Sequence, residues 1–588
     1  MIAPIDTIDT LDKSTTSSGG MDTSKGAAPI SAINKRAAQP LLVDMFAVRN
    51  LLAKLPLVFP VDPKLPPSPK ARYRSYYCYL GPDNLLKKDE RTTLSDLEIA
   101  LYLIDFSSLR PVLAGSYVQS RKGKTPFDPV SMFLCICLRR EAGHTWDNLA
   151  KLLAHETHGL GWRRLFGFED KDGRRETPSA SGLRYFFDTV GAEVFDEFCP
   201  MFIDLIRQNG FLPERSTFPG DPEERGITIT QDGMLHDALS RPSCILAMDS
   251  CYQPCTENQD PLPEGSPSEN SDQTEEKPNR PCRAKKNGQP RCVCDTADCQ
   301  ERCQKASRLD SEARYIHYEG HNNKNGDTEG NQANEKGRDV FGYRSIADRI
   351  LDDRFAVAWN AKSSLYSANT DERTVFTARL NDFRQRFPEL KIGECLYDSA
   401  VGYAPCLEAI WELGALRMVD IRGDSTDKAF DTCVQRGYDG EGYPLCFHGY
   451  RLYSNGYDYD HRRRKWVCNQ VCRRKPRRKG EPVAAVKDCP FLKEERPLGF
   501  IVNVGKTLPG GNIRLAREIP YGSEEWDARY GRRNLSESRN GQLEKLGLKR
   551  MKSYGLERNT KEVQVADFLI NLRTLGRLVR EATKLSEK

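Results

Sequence analysis

The chain has 588 residues, of which 29% are charged, with 88 Lys and Arg against 83 Asp and Glu and a formal net charge of +5. This length exceeds one ordinary hydrophobic core, so we expect three or four domains, or one domain that carries large insertions. The sequence has neither an apolar N-terminal leader nor 18 consecutive apolar residues, which argues against a secreted or membrane protein. We therefore expect a cytoplasmic protein with no membrane partner, whose 19 cysteines are metal ligands or free thiols rather than disulfides.

The first third of the chain is predicted to be an arm followed by helices. Residues 1–92 are rich in Ser, Thr, Gly and Pro and are predicted to be a disordered or linker arm. Residues 93–215 are predicted to form a compact helical domain. Its start signals are N-cap residues ahead of apolar stretches, namely Ser95 (in a capping box with Glu98), Asp128, Thr145 and Thr177.

Residues 225–425 have the alternating pattern of an α/β sheet. The stretch 227–231 alternates as a strand does, and Asp232-Gly233 is predicted to end it in a turn that exposes the carboxylate. Asp249 remains an alternative to Asp232, because the residues before it are also strand-like.

Further strands are predicted in LDSEARYIHYEG and in RDVFGYRSIADRILDDRFAVAWNAKSS, and a helix in DERTVFTARLNDFRQRF. KIGECLYDSAVGY then predicts a buried strand with Asp398 at its C-terminal end, followed by a helix and another strand. A carboxylate in this position is either a helix N-cap or a functional group.

Cysteines are concentrated in an insertion predicted over residues 251–305. Their short spacings allow several thiolates to reach one Zn²⁺ at about 2.3 Å, although free thiols are the alternative. The candidate zinc ligands are Cys251, Cys255, Cys292, Cys294, Cys299 and Cys303.

A second insertion, predicted to be β-rich and basic, covers residues 426–520. It contains a second set of candidate zinc ligands: Cys446, Cys468, Cys472 and Cys489, with His448 as a further donor. A run without acidic residues is predicted to hold DNA phosphates from an exposed hairpin; its cations are Arg462, Arg463, Arg464, Lys465, Arg473, Arg474, Lys475, Arg477, Arg478 and Lys479.

The last segment, residues 521–588, is predicted to be helical. Within it, Tyr530–Lys545 reads as a helix in which Arg533 lies one turn before Glu537 and beside its carboxylate.

The order Tyr530, two residues, Arg533, three residues, Glu537 and a downstream Lys resembles the Tyr-Arg-Glu-Lys signature of DDE transposases of bacterial insertion sequences. The family has its Lys seven residues after the Glu, whereas Glu544 holds that place here and Lys545 comes eighth. At 100° per residue, Lys545 is then about 80° from Glu537 around the helix.

The resemblance implies an α/β fold with an RNase H-like mixed sheet as its core, a helical N-terminal domain, and cysteine-rich and β-rich insertions. It implies that Asp232, Asp398 and Glu537 are catalytic and together bind two Mg²⁺ or Mn²⁺ ions, with structural Zn²⁺ in the insertions. It also implies that Tyr530, Arg533 and Lys545 contact DNA.

The function implied is metal-dependent cleavage and strand transfer at the ends of an insertion sequence. The partners would be double-stranded DNA, as terminal repeats and as target, and a second copy of the chain in a homodimer on that DNA. Residues 93–215 would bind the terminal repeats or serve as a structural cap. The alternatives are an inactive, zinc-dependent DNA-binding relic of a transposase and a structure-specific nuclease of the same fold.

Overall fold

The structure is a computed structural model that describes residues 44–60, 73–81, 94–117, 125–169, 173, 175–239, 310, 312–318, 338–422, 436–468, 489, 491 and 499–585. The α-helices in these ranges are α1 (Met45–Leu52), α2 (Asp96–Leu103), α3 (Arg110–Tyr117), α4 (Pro129–Glu141), α5 (Trp146–Ala154), α6 (Leu160–Phe166), α7 (Ala180–Thr189), α8 (Ala192–Asp196), α9 (Phe198–Gln208), α10 (Glu372–Arg386), α11 (Ala404–Glu412), α12 (Glu524–Tyr530), α13 (Asn534–Lys545) and α14 (Leu556–Leu585). The strands are β1 (Leu57–Val58), β2 (Ile104–Asp105), β3 (Ile227–Asp237), β4 (Arg314–Tyr318), β5 (Arg338–Asp352), β6 (Val357–Ser367), β7 (Ile392–Tyr397), β8 (Leu416–Val419), β9 (Tyr453–Asp458), β10 (Arg463–Val467) and β11 (Ile501–Val504).

The fold is mixed α/β and is organised around a mixed six-stranded sheet. The long strand β5 pairs antiparallel with β3 along one edge, and with β4 and β6 in succession along the other. Strand β7 joins β3 in parallel and β8 joins β7 in parallel. The predicted strands of this region, the helix α10 and the strand that ends before Asp398 are confirmed.

The predicted turn at Asp232-Gly233 is wrong, because β3 continues for several residues past it. The strand stays paired with β5 as far as Asp237, opposite Gly342. A Cβ atom at Gly233 would lie 2.6 Å from Oε1 of Glu372. Gly233 therefore admits a neighbouring side chain and does not bend the chain.

The helices before the sheet share one hydrophobic core with it. The C-terminal helix α14 lies at the centre of this core, packed against α2, α4, α9 and β6. Phe568 of α14 is surrounded by the rings of Phe59, Phe133, Phe198 and Phe202. The first and last thirds of the chain thus fold around each other.

Three of the four predicted N-caps are confirmed. Ser95 forms its capping box with Glu98, and Asp128 and Thr145 each accept a hydrogen bond from the first turn of their helix. The fourth prediction is wrong, because Ser179 and not Thr177 caps α7 by accepting from the amide of Gly182.

The predicted disordered or linker arm of residues 1–92 is wrong over residues 44–60. Helix α1 buries Val48 and Leu51 in the main core, and β1 pairs in parallel with β2. The apolar residues of α1 recur with helical spacing, so one face of this helix is buried although the sequence around it is polar.

The second insertion contains a small antiparallel sheet in the order β11-β10-β9. It has its own apolar cluster around Tyr438, Trp466 and Leu515. No helix in the described ranges, not even the 30-residue α14, combines the length and the apolar character needed to cross a membrane.

Candidate active site

Two parallel strands bring Asp232 and Asp398 to one place. The paired register of β3 and β7 ends with Thr230 opposite Leu396. Asp232 and Asp398 each lie two residues further on, Asp232 within β3 and Asp398 directly after the end of β7. Neighbouring strands are about 4.8 Å apart, so these two predicted carboxylates are brought together.

The third predicted carboxylate comes from α13, which packs against β3. A 3₁₀ turn, Gly531–Arg533, leads directly into this helix. Arg533 lies 3.0 Å from Glu537, as its one-turn spacing predicts, and 3.6 Å from the carboxylate of Asp398. One guanidinium therefore bridges two of the three predicted carboxylates.

Asp232 is the most buried of the three, with 8% of its surface exposed. Asn540 of α13 donates to Oδ1 of Asp232 at 3.3 Å, whereas Oδ2 of Asp232 is buried and has no hydrogen-bond partner among the described residues. Burial raises the pKa of Asp232 to about 6, and the negative charge of Glu537 adds to the rise. The positive charges of Arg539, Arg349 and Arg533 oppose it.

A fourth carboxylate, Glu372, joins the site and was missed in the sequence. It is the first residue of α10, accepts from Arg344 at 2.9 Å and occupies the space that Gly233 leaves open. Burial raises the pKa of Glu372 to about 7, and the charges of Asp398 and Asp232 add to that rise. The sequence signal for this contact was Gly233, because a glycine inside a strand often marks a place where another group approaches the backbone closely.

Buried guanidiniums fix α13 against the sheet. Arg539 is fully buried and donates to both carboxylate oxygens of Asp567 on α14, at 2.6 and 2.7 Å. Arg349 of β5 donates to the carbonyls of Leu535 and Ser536 at the start of α13. These bonds hold the helix that carries Glu537 in a fixed register on β3 and β5.

The donor set suits a divalent cation. Carboxylate oxygens are the ligands that Mg²⁺ and Mn²⁺ prefer, and no described residue partners the buried Oδ2 of Asp232, which an ion would do. Among the described residues, no three or more His, Cys, Asp or Glu side chains already stand close enough to hold an ion. In this structure the positive charge next to Asp398 and Glu537 comes from Arg533.

Tyr530 and Lys545, the other two residues of the predicted signature, lie in different surroundings. Tyr530 is half-buried and stacks on Trp526, with ring centroids 5.7 Å apart. Burial raises the pKa of Tyr530 well above its usual range, and the charge of Asp420 adds to the rise. Lys545 is exposed at the end of α13 and lines a cavity that Glu537 does not line.

The predicted basic hairpin is only partly an exposed surface. Arg464 is buried in β10 and donates to the backbone carbonyl of Glu518 and to Oγ of Ser454 at 2.5 Å, so the expectation that it lies on an exposed hairpin is wrong. Strand alternation turns Arg464 and Trp466 toward the core of the insertion. Arg462 stacks over the ring of Trp411 at 4.0 Å.

The other described members of that run are more open. Arg463 pairs with Asp458 at 3.3 Å, and Lys465 is half-buried on the same strand. The remaining predicted DNA contacts lie outside the described residues: Arg473, Arg474, Lys475, Arg477, Arg478 and Lys479.

Three candidate zinc ligands of the second insertion are described, and none of the three is in a disulfide: Cys446, Cys468 and Cys489. The first two pack against the core of the insertion. Outside the described residues lie Cys472, the alternative aspartate Asp249, and the whole first set, Cys251, Cys255, Cys292, Cys294, Cys299 and Cys303.

Comparisons of the chain with protein-family models, with curated proteins and with solved structures find no match.

Proposed function

We propose that this protein is a DNA transposase that cleaves and joins DNA phosphodiesters with divalent metal ions held by Asp232, Asp398 and Glu537. The observation that carries the proposal is that Asp398 and Glu537 share the Arg533 guanidinium, while the charges of Arg533 and Glu537 both act on the buried Asp232 carboxylate. In the sequence, Glu537 lies 139 residues after Asp398 and 305 residues after Asp232.

The strand order supports an RNase H-like core as part of this proposal. The resemblance expects the first aspartate on the first strand of the sheet and the second aspartate after a later strand. In the described sheet these are β3 and its parallel neighbour β7. The glutamate expected after the insertions lies on α13, which packs on that first strand.

The chain's own groups have distinct tasks in this proposal. Asn540 orients the Asp232 carboxylate and leaves its Oδ2 free for a ligand. Arg533 holds Asp398 and Glu537 in place and balances their charge before DNA binds. Because guanidinium also suits phosphate, Arg533 then has a partner on the DNA backbone. Two bound divalent ions would activate the attacking oxygen and stabilise the leaving oxygen.

The proposal is tested by incubating the purified protein with Mg²⁺ or Mn²⁺ and duplex DNA that carries the sequences flanking its own gene. We expect nicks at defined positions and, with a second duplex present, joined products. Nicks without joined products would favour the nuclease alternative. Binding without cleavage under either metal would favour the inactive relic.

Metal binding gives a test that does not depend on activity. We expect isothermal titration calorimetry to detect Mn²⁺ binding to the wild-type protein, and Asp232→Asn to weaken it at least about tenfold, because one hard oxygen ligand and its charge are lost. Glu544→Gln is the matched control, since Glu544 is exposed on α13 and pairs with Lys549 at 2.9 Å. Equal Mn²⁺ affinity in the wild type and Asp232→Asn would contradict the assignment.

A further inference from the structure

A cavity of about 410 Å³ lies between α13, α14 and the start of β6. We call it the α13–α14 cavity. Its lining includes four cationic side chains: Arg349, Lys545, Arg573 and Arg577. The carboxylate in this lining belongs to Asp96, which is paired with Arg580 at 2.8 Å. The α13–α14 cavity therefore has an excess of positive charge.

The cations of the α13–α14 cavity are weakly neutralised within the described structure. Arg573 lies 3.6 Å from Glu141, and Arg577 lies 3.8 Å from Glu581. Both distances exceed the 2.7–2.9 Å or so of a charge-assisted hydrogen bond. Lys545 forms no ion pair with any described residue. These side chains retain donors for an added anion.

The innermost cation carries an unused donor. Arg349 is 1% exposed, and its Nε is buried with no hydrogen-bond partner in the part of the chain that the structure describes. Burial lowers the pKa of Arg349 to about 10, so the guanidinium keeps its charge at neutral pH. A buried donor without a partner is unfavourable, and an anion in the cavity would relieve part of the local positive charge.

We propose that the α13–α14 cavity binds a backbone phosphate of the DNA strand, an inference that rests on the proposed function. Arg forks and a Lys ammonium are the side chains that recognise phosphate. The cavity has room for a phosphodiester with its sugar. It is a separate site from the carboxylates, because Glu537 and Asn540 face Asp232 and Asp398 while Gln542 and Lys545 line the cavity.

The helix sets the distance between the two sites. Glu537 and Gln542 are about 140° apart around α13 at 100° per residue. An α-helix with side chains is about 10–12 Å wide. The bound phosphate would therefore lie on nearly the opposite side of α13 from the carboxylates.

The proposal is tested with the double variant Arg573→Gln/Arg577→Gln. The probe is a fluorescein-labelled 30-base-pair duplex, titrated by anisotropy over a series of salt concentrations. We expect about tenfold weaker binding than in the wild type at low salt, as for a lost charge-assisted contact. The slope of log affinity against log salt should fall by about one, since one phosphate contact is lost.

The matched control is Lys552→Gln/Lys584→Gln, which removes the same charge from exposed positions outside the cavity. Equal affinity and slope in the two double variants would overturn the proposal. Arg577→Gln alone, at a position whose side chain is 47% exposed, replaces the double variant if that variant fails to fold by circular dichroism. For this single variant, the slope of log affinity against log salt should again fall by about one. The loss of affinity should be about half as large as in the double variant.

A second arm separates DNA phosphate from free phosphate. Sodium phosphate is titrated into the wild type and the double variant by calorimetry. Phosphate binding that the double variant loses, together with an unchanged DNA slope, would identify free phosphate as the ligand and overturn the DNA assignment. The double variant could lower the slope of log DNA affinity against log salt although the wild-type protein cleaves no DNA. That result would support the cavity proposal and contradict the transposase proposal.

Discussion

Asp398→Asn and Glu537→Gln are each expected to lower metal-dependent DNA cleavage about 10³-fold or more, while DNA affinity changes less than about threefold. Removing a group that acts with others at one reacting centre has effects of this size. Asn at position 398 keeps the hydrogen bond that Asp398 accepts from the amide of Ala400, because Asn caps helical turns as well as Asp does. Gln at position 537 keeps the helix and its size. The measurement is single-turnover cleavage of end-labelled duplex DNA with Mg²⁺ and with Mn²⁺.

Glu544→Gln is the control for this prediction, because it makes the same chemical change on the same helix at the place where the family has its Lys. Its cleavage rate should stay within about twofold of the wild type. A cleavage rate equal to that of the wild type in either Asp398→Asn or Glu537→Gln would contradict the catalytic assignment of these carboxylates. A parallel loss of DNA affinity in both would indicate a binding role instead of a catalytic one.

The order and type of the elements around the site could be predicted from the sequence. The strand before Asp398 is apolar except for Glu394, and in the structure all six residues of β7 are buried. The one-turn spacing of Arg533 and Glu537 was enough to predict their ion pair, since side chains four apart share a helix face. The starts of α2, α4 and α5 could likewise be predicted from their capping residues, because each capping side chain acts within the first turn of its own helix.

What local patterns could not predict are contacts between distant elements. Asp232-Gly233 has the composition of a turn, and only the approach of Glu372 from α10 explains a glycine within a continuous strand. Arg464 has the sequence context of a DNA-binding run, yet Glu518, some 50 residues later, accepts its hydrogen bond inside the insertion. The arm residues around Val48 look isolated in sequence and are buried because α14 and the other helices surround them.

The cluster of carboxylates also lowers the stability of the folded protein, and the contribution of Glu372 to this loss can be measured. The charged form of Glu372 is disfavoured in the folded state, since burial and the charges of Asp398 and Asp232 raise its pKa from 4.5 to about 7. A group with a raised folded-state pKa stabilises fully below its unfolded pKa, and that stability is lost as the pH rises through the folded pKa. For Glu372 the loss therefore runs from about pH 4.5 to about pH 7.

Glu372→Gln should consequently be more stable than the wild type at pH 8 by about 3 kcal/mol, and nearly equal to it at pH 4. The figure follows from about 1.4 kcal/mol for each pKa unit, and it applies because only 18% of the Glu372 side chain is exposed. Urea unfolding at pH 4, 6 and 8 in the presence of a chelator measures the difference, with the exposed Glu544→Gln expected to change it by less than about 0.5 kcal/mol. The same stability difference at all three pH values would show that Glu372 ionises normally. Because bound divalent ions would relieve the repulsion among these carboxylates, the difference at pH 8 should also shrink when Mg²⁺ replaces the chelator.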